Sequence, residues 1–574
     1  MSRTLRVAAP FVLLAVVAAL LAGCGSSATG SSRDPAEAVP ASAALYAGAV
    51  VRPQGSLQEA ARVAGRKLTH QANPYLRLLG ALQTPGAGRL DFDRDVAPWL
   101  GPKAGAFLGS GAEASEAAVS RVLNLVVQAL LGRGAGGFPF AAHSLDGAVV
   151  LDTRDSAKAR SFVQTLAKRA GAHGAGYRGV AYQVANGIAF ALVSRLVVIG
   201  TEPALHEVID TVSGGGLSLA HSPGYAKLQS AAPGGTLAHL YANPGALSEA
   251  TGKLGAKGSG SALSLLAGQR LLNASLVPSK SSFALDVDAV APEGGGSSGG
   301  LVAPSPQAAQ ALGELPGESW LAIGLGDLGK TLAANPKALQ GLSSLGGLLT
   351  GSGSAPATGL SVTAIVEGLL KPLTVLGADP AETKRDFASW MGPTAIFTSG
   401  SGLLELRGGV VIDSTDPGRS RAAVAKMGEL LRAGGGSVER AKISGTDAAM
   451  LVHVSGLPVE LAIADGRDAG GATKFVIGIG EQSVEAALRP SSTLSGSASY
   501  GTSAAALGQG FEPSLIVEFP TLLGLLEGVG LSEDPTVSPF VPYLRTLGTL
   551  SGGGKDLGGG IERYRLVLGL GESG

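Results

Sequence analysis

The sequence predicts an α+β protein of two tandem homologous halves, each a mainly antiparallel sheet covered by helices. Three observations carry this: a motif written twice, a strand–helix–hairpin pattern, and a glycine-serine break between the copies. Arg94-Asp95-Val96-Ala97-Pro98-Trp99-Leu100-Gly101-Pro102 reappears as Arg385-Asp386-Phe387-Ala388-Ser389-Trp390-Met391-Gly392-Pro393, with six of the nine positions identical. Gly147-Ala148-Val149-Val150-Leu151-Asp152 recurs as Gly408-Gly409-Val410-Val411-Ile412-Asp413. Weaker matches keep the same order, Val39-Pro40 with Leu315-Pro316 and Tyr225 with Tyr500. The offset between copies falls from 291 at the first motif to 261 at the second, which places an insertion at about 113–138 in the first half. The run Gly294-Gly295-Gly296-Ser297-Ser298-Gly299-Gly300 reads as a linker over 293–304. The halves are then 36–292 and 305–574.

Taken in order, the first half opens with a strand near Ala44–Val51, followed by Leu-rich helical sequence, the tryptophan motif, and a strand at Ala104–Leu108. Gly147–Asp152 is apolar throughout, as a buried strand is. Asp155-Ser156 is a helix N-terminus leading to Arg169, and its second copy, Asp416-Pro417, adds a first-turn proline. Val180–Val184 and Ile188–Val193 flank Asn186-Gly187, the signature of a two-residue hairpin turn. A strand at Leu196–Ile199, a helix at Pro203–Val212 and a strand at Gly235–Tyr241 follow. Each half ends in an alternating strand, Ser282–Asp288 and Ile561–Leu568. Such a chain predicts sheets with helices on one face.

The amino terminus has the anatomy of a secretory signal over 1–23: Arg3 and Arg6, an apolar run from Val7 to Leu21, then small residues. The apolar run is about fifteen residues, short of the roughly 20 that span a bilayer. Leu21-Ala22-Gly23-Cys24 resembles the lipobox of bacterial lipoproteins. The resemblance implies a diacylglyceryl thioether on Cys24 and a protein held by acyl chains at the extracytoplasmic face of the cell membrane. Cys24 is the single cysteine, so no disulfide forms within the chain. Residues 24–35 read as a flexible tether with a reach of roughly 15–20 Å.

Lys plus Arg and Asp plus Glu number 44 each, a balance that leaves no basic footprint for nucleic acid or anionic lipid. Charged residues are only 15% of the chain, glycines number 88, and mean hydropathy is +0.28. The apolar residues fall in short runs, and no second stretch is long enough to span a membrane.

Several motifs suggest chemistry that their context does not support. Gly324-Leu325-Gly326-Asp327-Leu328-Gly329-Lys330-Thr331 satisfies the phosphate-loop pattern between an apolar run and a helical stretch. It reads as a decoy, because Gly48–Pro53, the matched place in the first half, lacks Gly-Lys-Thr, and an exported domain meets little nucleoside triphosphate. Gly295-Gly296-Ser297-Ser298-Gly299 matches the hydrolase elbow but sits mid-linker, without the strand-to-helix turn that the elbow requires. Asp91, Asp93 and Asp95 begin like a calcium loop, yet Val96 and Pro102 occupy its glycine and glutamate positions. The seven histidines show no zinc-ligand spacing. No cofactor and no metal are expected. Asp95, Trp99 and Gly101, with Asp386, Trp390 and Gly392, read as a structural motif that packs a turn on its sheet.

The lipobox, Pro98-Trp99-Leu100-Gly101 with its second copy, and the Val39-Pro40 start together resemble a bacterial domain-of-unknown-function family of exported or membrane-attached proteins, often with two copies. Ser389 departs from that family's pattern, which has proline there. The family brings no established activity and so no catalytic residues. The expected function is non-catalytic binding of an apolar ligand or an envelope protein partner, motivated by the amphipathic stretches Ala117–Leu131, Leu360–Leu376 and Leu515–Leu526. The alternative is an extracytoplasmic hydrolase whose site assembles in space.

Overall fold

The computed structural model describes residues 32–69, 92–109, 146–243, 271–290, 305–334, 383–402, 405–433, 435–453, 460–528 and 541–571, with Gly530, Ser532 and Ser538. The signal 1–23, Cys24, the insertion, the linker and the stretches Ala117–Leu131 and Leu360–Leu376 lie outside the described residues.

Before the linker run strands β1 (Leu45–Val50), β2 (Leu100–Leu108), β3 (Gly147–Thr153), β4 (His173–Tyr177) and β5 (Val180–Ala185). Then come β6 (Ile188–Val193), β7 (Leu196–Thr201), β8 (Ala238–Ala242), β9 (Leu271–Pro278) and β10 (Ser282–Val290). Helices α1 (Gly55–Thr69), α2 (Ser156–Arg169), α3 (Glu202–Val212) and α4 (Pro223–Ala231) lie among them. After the linker come α5 (Pro306–Gly313), β11 (Ser319–Asp327), α6 (Leu328–Ala334), β12 (Met391–Ser399), β13 (Arg407–Ser414), α7 (Pro417–Ala433) and β14 (Ser437–Arg440). They are followed by β15 (Thr446–His453), β16 (Leu461–Arg467), β17 (Thr473–Ile479), α8 (Gly480–Leu488), α9 (Ala498–Leu507) and β18 (Glu512–Glu518). Helix α10 (Phe519–Gly528), β19 (Leu547–Gly558) and β20 (Ile561–Leu570) complete the chain.

The expected two sheets are one. All 20 strands join a single antiparallel sheet, paired in the order 4-5-6-7-3-2-1-8-9-10-20-19-18-11-12-13-17-16-15-14. The junction is β10 on β20, two strands that would each be a bare edge if the halves closed separately. Strand order on either side of that junction is the same, so the sheet reads as two ten-strand arms sharing one seam.

The expected helical cover on one face is also corrected, because helices line both faces. Side chains alternate along a strand, and the cores alternate with them. Ile188, Phe190, Val197 and Ile199 pack with Ala159 and Val163 of α2. Ala189, Ala191 and Val198 point the other way and pack with Leu205, Val208 and Ile209 of α3. In the second arm Val410, Ile412, Phe475 and Ile477 meet α7, whereas Val411, Ala462, Ala464 and Val476 meet α5 and α8. Following the register through the seam puts α1, α2 and α7 on one face and α3, α4, α5, α8 and α9 on the other. Among the described residues, no helix is long and apolar enough to cross a membrane.

Candidate functional site

The tryptophan loops sit at the starts of β2 and β12. Trp99 is 1% exposed and Trp390 is fully buried. Each indole N–H donates to the main-chain oxygen four residues earlier, Asp95 and Asp386, at 2.9 Å in both arms. The Trp99 carbonyl accepts from Arg154 N at 2.9 Å and Thr153 Oγ1 at 2.8 Å; the Trp390 carbonyl accepts from Thr415 N at 2.9 Å and its Oγ1 at 3.0 Å. A Cβ on Gly101 would fall 2.4 Å from Asp152 Oδ2, and one on Gly392 3.0 Å from the Asp413 oxygen. The structure thus brings Asp95, Trp99 and Gly101 together in one arm, and Asp386, Trp390 and Gly392 in the other.

Above the first loop opens a cleft of about 220 Å³ between the loop and α2. Its floor is apolar: Trp99 lies against Phe162 with ring centroids 4.9 Å apart, beside Leu166. Its rim carries Lys158, Arg169 and Arg94, the last bound to Asp95 of the same rim at 2.8 and 3.0 Å. Lys158, Phe162 and Leu166, and Arg169 follow one another at helical spacing, so a single stripe of α2 supplies a cation, an apolar middle and a second cation. In the second arm Ala423 and Leu430 stand where Phe162 and Arg169 do, and Arg419 Nη1 donates to Ser389 Oγ at 2.8 Å.

The deepest charges lie at the seam. Asp286 and Asp288 on β10 face Arg565 and Arg563 on β20 in register. Both aspartates are fully buried and Arg563 is nearly so. Arg563 grips Asp288 with Nε at 2.6 Å and Nη2 at 2.8 Å, and Arg565 grips Asp286 with two bonds of 2.7 Å. Each guanidinium also donates to the last carbonyl of a helix on that face, Ala231 of α4 at 2.6 Å and Leu507 of α9 at 3.0 Å, where the helix dipole favours a cation. Burial pushes the Asp288 carboxyl above its ordinary value, and Arg563 pulls against it. These four residues escaped the sequence reading, although the alternating strands that carry them were visible.

Two further carboxylates, the matched pair Asp152 and Asp413, are held differently. Asp152 accepts from Ser32 Oγ at 3.1 Å and Arg33 N at 3.3 Å, so the end of the tether docks on it. Asp413 accepts from buried Lys474 at 2.6 Å, which also donates to Glu314 at 2.6 Å. Burial raises both carboxyls against these bonds.

The phosphate-loop match folds as a strand running straight into a helix. Gly324 lies in β11, where a Cβ would strike the Ala308 oxygen at 1.9 Å. Gly329, Lys330 and Thr331 are in α6. The Lys330 amide donates to Asp327 Oδ1 at 2.9 Å, its ammonium lies 3.1 Å from Asp327 Oδ2, and Thr331 Oγ1 donates to the Asp327 oxygen. The groups a phosphate would need are turned on Asp327.

Compared with known families, the chain matches the profile of a protein family of unknown function, DUF3352, over residues 5–509. The chain belongs to the DUF3352 family. The match spans the first arm and most of the second and stops short of β18 to β20, so the Arg563–Arg565 strand lies beyond it. Among curated proteins, nothing matches. A solved structure of TP0453 in crystal form I aligns over 46% of this chain and 81% of that one, at 8% identity and a TM-score of 0.25.

Proposed function

We propose that this DUF3352 protein is a lipid-anchored extracytoplasmic envelope protein that binds an apolar ligand or a protein partner rather than catalysing a reaction. The cleft over Trp99 carries this reading, because it joins an apolar floor to a polar rim. The strongest buried charges support it indirectly. At the seam and at Asp413 they are bound to one another or to helix ends. The two arms meet through paired strands, β10 on β20. The hydrolase alternative has one contact in its favour, Ser218 Oγ to His221 Nδ1 at 2.7 Å. Both belong to one turn around Leu219–His221, and no ion pair orients His221 among the described residues.

The test is extraction of the protein from its native membrane into organic solvent, followed by mass spectrometry. A stoichiometric lipid beyond the anchor is the expected result, and its absence removes the apolar ligand. For the anchor itself, Cys24→Ala releases the protein from membranes or stalls its processing; unchanged retention contradicts it.

A further inference from the structure

The equal counts of acidic and basic residues conceal a sorting by face. Helices α1, α2 and α7, on one face of the sheet, carry eleven Lys and Arg against two Glu. Helices α3, α4, α5, α8 and α9, on the other face, carry five Asp and Glu against one Lys. The extreme case is α2. Lys158, Arg160, Lys168 and Arg169 are exposed, and no acidic residue lies within the helix. Lys158 pairs with the N-cap Asp155 at 3.3 Å, whereas Arg160, Lys168 and Arg169 have no ion pair among the described residues. This is the helix that walls the Trp99 cleft.

We propose that the exposed face of α2, with its cleft, docks on anionic phospholipid, the cations meeting headgroup phosphates and the half-buried Phe162 and Leu166 taking acyl methylenes. Charge complementarity is the first argument: each Lys or Arg close to an anionic bilayer contributes about 1 kcal/mol. Chain length is the second. Ser32 is bonded to Asp152, two residues before the Arg154 that holds the Trp99 loop by its amide and guanidinium. The eight residues from Cys24 to Ser32 reach at most about 28 Å when extended. Asp152 points to the α3 face, beside Val150 and Leu196. An acylated Cys24 therefore keeps the end of β3, and with it the Trp99 loop, within about 28 Å of the bilayer without itself choosing the face. The inference rests on the anchor reading for that proximity, but its chemistry is independent of it.

The test uses the chain from residue 25 to residue 574, so that neither the apolar signal nor an acyl chain contributes, with phosphatidylcholine vesicles that contain or lack phosphatidylglycerol. Binding is expected only to the anionic vesicles and declines with salt. Removing three cations in Arg160→Gln/Lys168→Gln/Arg169→Gln weakens partitioning about a hundredfold, whereas Arg160→Lys/Arg169→Lys retains it. Equal binding to both vesicles, or an unchanged triple variant, overturns the proposal. So does displacement by inorganic phosphate beyond that of chloride at equal ionic strength, which would mark a phosphate site instead of a lipid surface. Intact mass of the native protein reads the anchor separately, so failure of one leaves the other standing.

Discussion

His239 shows how single side chains set the interior of the first arm. It stands opposite Gly48 across the β1–β8 pair, and a Cβ there would fall 2.4 Å from its Cε1, so only glycine fits. Its Nε2 lies 3.0 Å from the Tyr225 hydroxyl. Burial lowers its pKa from 6.5 to about 4, with Asp34 opposing and Lys103 assisting. The unfolded chain therefore binds a proton through that window while the folded one does not. Stability falls as pH drops from about 6.5 to about 4, by up to about 3 kcal/mol, and the term is constant outside the window. Urea midpoints measured against pH show the fall, and His239→Gln flattens it. The tryptophans belong here too. Their pairing with Asp95 and Asp386 was visible as a repeated spacing, but nothing in the sequence says that the acceptor is the main-chain oxygen and not the carboxylate.

Among elements, those written in local chemistry were legible. Asn186 and Gly187 both have positive φ, as the hairpin signature requires, between β5 and β6. Asp155 caps α2 by accepting from the amides of Ala157 and Lys158 at 3.1 and 3.0 Å, and Asp416 caps α7 at 3.1 Å twice. Asp155→Ala costs about 1 kcal/mol, read as a lower urea midpoint, and Asp416→Ala costs the same. Elements shaped by distant packing were not legible. Leu515–Leu526 reads as one amphipathic stretch but is β18 followed by α10. Gly552-Gly553-Gly554 lies mid-strand in β19, where a Cβ on Gly552 would fall 2.6 Å from the Tyr564 hydroxyl. Period and propensity carry no information about a ring from a neighbouring strand.

Across the molecule, the decisive feature is the pairing of two rows of like charge, Asp286 with Asp288 and Arg563 with Arg565. Neither row can pair with itself, so β10 is matched to β20. Asp288→Ala leaves Arg563 buried without its carboxylate and costs about 3–5 kcal/mol. Exchanging the rows, with Arg at 286 and 288 and Asp at 563 and 565, recovers part of that loss, short of the full amount because the aspartates then face the carbonyls of Ala231 and Leu507, whereas either row changed alone recovers none. Thermal melts of the three variants read the difference. The duplication was legible as sequence, but the joining of the arms was not, since 275 residues separate Asp288 from Arg563. Net charge is silent for a similar reason: a balanced total does not say which face each residue occupies.

The continuous sheet is tested most directly by a cross-link at its seam. Ala289 and Glu562 are register partners on β10 and β20, and the chain has no cysteine besides Cys24. In a Cys24→Ala background, Ala289→Cys/Glu562→Cys should oxidise within one chain, giving a monomer whose mass is lower by two hydrogens. Free thiols under oxidising conditions, or a bond formed only between chains, would contradict one sheet running through both arms.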